Sequence, residues 1–144
     1  SARAPKRSCA ITWAPSAGGG DAAAGHHGDF WPGNVMVVGD GVQVLDFEGY
    51  RTSAALEDPA YFLLQAELFF DLPVLRRSFR PLGAAFLRGY GREGLLAQES
   101  YRACRVSACL RLLALACEDA DSPAGSRHRR RMLRLRSRLE ETLW

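Results

Sequence analysis

Lysine is almost missing from this 144-residue chain: Lys6 is the only one, and every other basic side chain is an arginine. Lys6 follows Pro5 with no strand pattern around it, which excludes a strand-borne lysine reaching a nucleotide's phosphates. No apolar run approaches the roughly eighteen residues of a membrane span, and no signal-peptide core occurs near Ser1, so a cytoplasmic protein is expected. Metal chemistry through cysteine is also excluded. Cys9 stands alone, and Cys104, Cys109 and Cys117 lie on one predicted helix without a C-x-x-C pair or a shared face, as small apolar core residues do. There is no internal repeat.

What is present suffices for one domain. At 47% hydrophobic, the chain can bury roughly two-thirds of its unfolded surface. Residues 1–25 are rich in Ala, Gly, Ser and Pro, show no periodicity, and read as loop or disorder, with Ile11-Thr12-Trp13 a local apolar stub. Arginines crowd the C-terminal stretch from Arg127 to Arg138, but Met132, Leu135, Leu139 and Leu143 recur at helical spacing. The arginines therefore read as the solvated face of a packed helix, and neither nucleic acid nor a membrane is expected as partner.

The informative segment is His27-Gly28-Asp29-Phe30-Trp31-Pro32-Gly33-Asn34, followed by Asp46-Phe47-Glu48. Phosphoryl transfer needs a base to orient and deprotonate a hydroxyl, and oxygen ligands for the Mg²⁺ that neutralises charge on the phosphate. Asp29 suits the first task, and Asn34 with Asp46 the second. Between them, Val35–Val38 and Val42–Leu45 flank Gly39-Asp40-Gly41, the pattern of a hairpin that returns Asp46 beside Asn34. His26 and His27 have no partner at ligand spacing, so His27 reads as a structural hydrogen-bonder of the loop.

HGDFWPGN with DFE resembles the aminoglycoside phosphotransferase and choline kinase group, the small-molecule branch of the protein-kinase-like fold. The protein-kinase pattern is H-R-D-x-x-x-x-N followed by D-F-G. Here Gly28 replaces the arginine, Glu48 replaces the last glycine, and the short interval from Asp46 to Asp58 leaves little room for a peptide-binding loop. The resemblance implies Asp29 as catalytic base, Asn34 and Asp46 as metal ligands, Glu48 as a neighbour of the metal, and Asp58 supporting the catalytic loop from beneath. It implies ATP and Mg²⁺ as cofactors and a small hydroxylated substrate as partner.

The expected fold is α+β: a mainly α-helical C-terminal lobe of the kinase-like fold over residues 26–144, with a small β-hairpin carrying the metal site at 27–48. Helices are expected at 59–70, 81–90, 98–119 and 123–143, the first capped by Asp58 and Pro59, the last by Ser122 and Pro123. The half from Leu110 to Cys117 is expected to be largely buried. Gly89-Tyr90-Gly91-Arg92-Glu93-Gly94 matches G-x-G-x-x-G, but it follows a helix and reads as a helix stop. No nucleotide-binding lobe is found, so the expectation is a fragment of an ATP-dependent phosphotransferase, inactive alone. The alternative is a non-catalytic lobe that binds a small molecule or a protein.

Overall fold

The computed structural model describes residues 23–69, 76–91, 94–118 and 125–143. The lead-in before residue 23, the stub at Ile11-Thr12-Trp13 and the Ser122-Pro123 helix start lie outside these residues. Two small antiparallel sheets are followed by four helices. Strand β1 (Ala23–His26) pairs with β4 (Arg51–Ala54), and β2 (Val35–Val38) with β3 (Gly41–Val44). The helices are α1 (Glu57–Phe69), α2 (Arg76–Gly89), α3 (Glu99–Glu118) and α4 (Gly125–Leu143).

The β2–β3 hairpin closes through a two-residue turn whose first residue, Gly39, takes φ +58°, a conformation glycine adopts without steric cost. Strand β1 corrects the expectation of loop through residue 25. Ala-Ala-Gly-His has no alternating side-chain pattern to betray a strand, and it is one because its backbone pairs with β4 in the register Ala24↔Ser53 and Gly25↔Thr52.

Helix α1 is the centre of the molecule. Its face carrying Ala60, Phe62 and Leu63 packs with Leu87 of α2, Leu95 and Tyr101, whereas Tyr61 and Leu64 pack with Ala108, Cys109 and Leu112 of α3 and Leu135 of α4. A helix buried on both sides has apolar residues all round, which is why its sequence shows no narrow stripe. Each fully buried leucine here contributes about 1.5–3 kcal/mol relative to exposure. An ionic clamp ties the same helices together: Arg105 of α3 binds Glu67 of α1 through two hydrogen bonds of 3.1 and 2.6 Å and donates to Thr142 of α4 at 3.2 Å. Burial alone would lower the Arg105 pKa, but the Glu67 carboxylate overrides it and holds the guanidinium above its ordinary value.

Three helix expectations need correction. Helix α1 begins at Glu57, so Asp58 lies within its first turn rather than capping it. Helix α2 begins by Arg76, not Pro81, because one missing N–H removes a single hydrogen bond and the helix continues through it. In α3, Ala108, Cys109, Leu112 and Ala116 are buried at helical spacing, while Leu110, Leu115 and Cys117 are exposed. One face packs there, not the whole run from Leu110 to Cys117, and Cys117 is no core residue. Gly91, with φ +73°, follows the end of α2 as a left-handed stop.

Candidate active site

The segment from His27 to Asn34 is anchored across α1 by two consecutive aromatics. Phe30 enters one core cluster, stacked 4.9 Å from Phe62, and Trp31 packs on the other. Beneath the loop, the Asp58 carboxylate accepts the backbone N–H of His27 at 2.7 Å and of Gly28 at 3.3 Å. Its displacement from the cap position is what frees it for this task. Gly28 takes φ +84°, and a Cβ there would lie 2.1 Å from the Gly49 carbonyl oxygen, so only glycine allows the loop to meet the turn at Phe47–Gly49.

His27 is buried and bonded at both ring nitrogens. Nδ1 accepts the Asp29 N–H at 3.2 Å and Nε2 donates to the Leu45 carbonyl at 2.9 Å. Because an N–H can only donate and a carbonyl only accept, these partners select the neutral Nε2–H tautomer. The Leu45 N–H in turn donates to the Asn34 carbonyl at 2.8 Å, which extends the hairpin register and sets Asp46 next to the strand end that carries Asn34. Asp46 has φ +70°, the only positive φ of a non-glycine among the described residues. Phe47 closes on the His27 ring at 4.4 Å, and Glu48 is exposed on the short 3-10 turn Phe47–Gly49.

The half-exposed Asp29 carboxylate is held from both sides. Asn34, buried, donates its Nδ2 to Asp29 Oδ2 at 3.2 Å and to the Asp29 carbonyl at 3.0 Å. Tyr61 of α1 donates its hydroxyl to Oδ1 at 3.3 Å and itself accepts from Gln65 at 3.0 Å. Burial pushes the Tyr61 hydroxyl pKa upward; the Gln65 hydrogen bond and the Arg111 charge oppose this, and Asp29 reinforces it. Tyr61 therefore remains a donor at neutral pH. Arg111 of α3 stacks over the Tyr61 ring at 4.7 Å, donates to the Gly28 carbonyl at 2.5 Å, and reaches within 3.7 Å of Asp29 Oδ1.

Sequence reasoning missed this pair. Tyr61 looked like one more apolar residue of a core helix, and Arg111 interrupted an apolar run; that interruption was the single available signal. It also left His26 without a role. His26 is buried with its ring 2.8 Å from Asp58 and 3.3 Å from Glu57, and Glu57 also binds Arg51 at 2.9 Å.

No group of three or more His, Cys, Asp or Glu side chains stands ready for a metal among the described residues. The oxygen donors at this end are the Asn34 amide, whose NH₂ is committed to Asp29, and the Asp46 carboxylate. Such a pair fits a hard cation that keeps most of its water, as Mg²⁺ does.

A single half-exposed aspartate is thus fixed by an amide, a tyrosine and a buried loop support. Residues 11–106, two-thirds of the chain, match the model of the phosphotransferase enzyme family, and the chain belongs to that family. No curated protein and no solved structure matches it.

Proposed function

We propose that this chain provides the hydroxyl-activating and metal-holding part of an ATP-dependent phosphotransferase whose acceptor is a small alcohol. The observation that carries the reading is the Asp29 carboxylate, half exposed yet held by Asn34 on one oxygen and Tyr61 on the other. Held there, Asp29 accepts the proton of an acceptor hydroxyl as that oxygen bonds to the γ-phosphorus of ATP and the bond from this phosphorus to the bridging oxygen breaks, so that ADP leaves. Arg111 and the Tyr61 hydroxyl fix the carboxylate's orientation, and Asp58 fixes the backbone that carries it. Asn34 and Asp46 are the residues that would hold Mg²⁺, which when bound neutralises charge on the phosphate oxygens. The left-handed backbone at Asp46 supports this role, since strain of about 1–3 kcal/mol persists mainly where surrounding structure and function require it.

The test is transfer of radiolabelled γ-phosphoryl from ATP to a panel of small alcohols by this chain joined to a nucleotide-binding lobe, comparing the parent with Asp29→Asn. Loss of a positioned base lowers turnover by about 10²- to 10⁴-fold. An Asp29→Asn rate within twofold of the parent would remove Asp29 from the chemistry. Absence of any thermal shift of this chain with Mg²⁺-ATP favours an incomplete or a non-catalytic chain.

A further inference from the structure

Consecutive in the chain, His26 and His27 sit in surroundings that ask for different protonation states. The partners of His27 require the neutral Nε2–H tautomer. His26 is 4% exposed, and each of its ring nitrogens lies against a carboxylate: Nδ1 is 2.8 Å from Asp58 Oδ1, and Nε2 is 3.3 Å from Glu57 Oε2. A neutral imidazole has one N–H and one lone pair, so in either tautomer a lone pair would face a carboxylate oxygen. Imidazolium alone presents an N–H on both sides. Alignment adds a second argument. Despite those distances, neither nitrogen has a hydrogen-bond partner among the described residues, so the ring is held by attraction between charges, which a neutral ring does not supply.

We propose that His26 is a positioning residue that works as its imidazolium, and that by holding the Asp58 carboxylate it makes the order of the loop carrying Asp29 depend on its proton. The consequence for catalysis rests on the phosphotransferase reading above; the coupling itself does not.

The path from proton to loop is short. Asp58 Oδ1, the oxygen beside the His26 ring, also accepts the Gly28 N–H, and Oδ2 accepts the His27 N–H. Gly28 immediately precedes Asp29, and its carbonyl is held in turn by Arg111. With the ring charged, Asp58 is neutralised where it stands and keeps both loop N–H groups. Once the ring loses its proton, a buried carboxylate is left beside a lone pair and a second carboxylate, and moving toward water stabilises it. That movement releases the two N–H groups.

The groups around the ring set the balance. Asp58 and Glu57 of α1 attract the charged ring. Arg51, the cross-strand partner of His26 in β4, repels it, but it is half exposed, screened by water, and paired with Glu57 at 2.9 Å. Ser53 donates to the other Glu57 oxygen and adds no charge. The loop is therefore held on the acid side of the His26 titration and released on the alkaline side.

The experiment follows the full chain, labelled with nitrogen-15, by NMR from about pH 5 to about pH 9, with no nucleotide present. The His26 ring nitrogens report its protonation, and hydrogen-exchange protection of the His27 and Gly28 amides reports the loop. An imidazolium signature is expected while the loop is protected. Protection at both amides should then fall by at least about tenfold in step with the ring's deprotonation, while the Leu112 amide in α3 stays unchanged. His26→Gln, uncharged at every pH, should show low loop protection throughout; if that variant does not fold, the parent's titration decides. A neutral ring beside a protected loop, protection unchanged as the ring titrates, loss at Leu112 in the same step, or parent-like pH dependence in His26→Gln each overturns the proposal. Coupling without phosphoryl transfer would sink the catalytic reading and leave this inference, whereas transfer without coupling would do the reverse.

Discussion

The loop at His26–Asn34 and the hairpin that follows it invert the usual rule of burial. His26, His27, Asn34 and, beneath them, Asp58 are 4–7% exposed, whereas Met36, Val37, Val38 and Val42 are 46–79% exposed. Polar groups can be buried where they find partners, as His27, Asn34 and Asp58 do in the loop backbone and Asp29, while His26 lies against the carboxylates of Asp58 and Glu57. Apolar groups are buried only if something packs on them, and a two-stranded sheet has no core of its own. The functional end of this molecule is thus organised by polar satisfaction, and its hydrophobic force is concentrated around α1.

The contrast can be broken most severely at Asp58. Asp58→Ala removes the acceptor of two loop N–H groups and the carboxylate beside the His26 ring, and each buried donor left unsatisfied costs about 1–3 kcal/mol. Urea unfolding measures it; a loss below about 1 kcal/mol would show that the buried polar set does not hold the loop. Tyr61→Phe is a finer cut. It deletes the hydroxyl between Gln65 and Asp29 at about 1 kcal/mol while leaving the ring under Arg111.

Tyr61 also carries a pH signature. Its folded pKa is raised above the ordinary value of 10.0, so its contribution is complete below that pH and is lost as pH rises through the folded value. Stability measured on the alkaline side should fall less in Tyr61→Phe than in the parent chain. The smallest effect belongs to the hairpin. Val37 and Val42 are direct cross-strand partners, and replacing both with threonine keeps the branched shape while changing stability by about 0.5 kcal/mol or less. A loss above about 2 kcal/mol in thermal unfolding would mean that this face is packed rather than solvated.

Much of the site was legible because it is local. The five-residue step from Asp29 to Asn34, the glycine turn and the return to Asp46 are contained in eighteen positions whose residue types dictate a loop and a hairpin. The helices were legible as helices, and Leu135 and Leu139 as the packed stripe of α4, but the packed face of α3 was not. Leu110 and Leu115 read as core and are exposed, because an apolar run does not say how many neighbours will cover it. Strand β1 was hidden for the opposite reason: Ala and Gly carry no pattern, and only the partner strand makes them a strand.

By itself, then, the sequence determined the motif: two acids and an amide at spacings that short backbone geometry brings together. Only the tertiary structure decided what holds Asp29. Tyr61 and Arg111 reach Asp29 from α1 and α3, across 32 and 82 positions of chain. Contacts of that kind depend on which helix faces meet. Helix packing is chosen by the sum of many apolar contacts, and no local spacing encodes it.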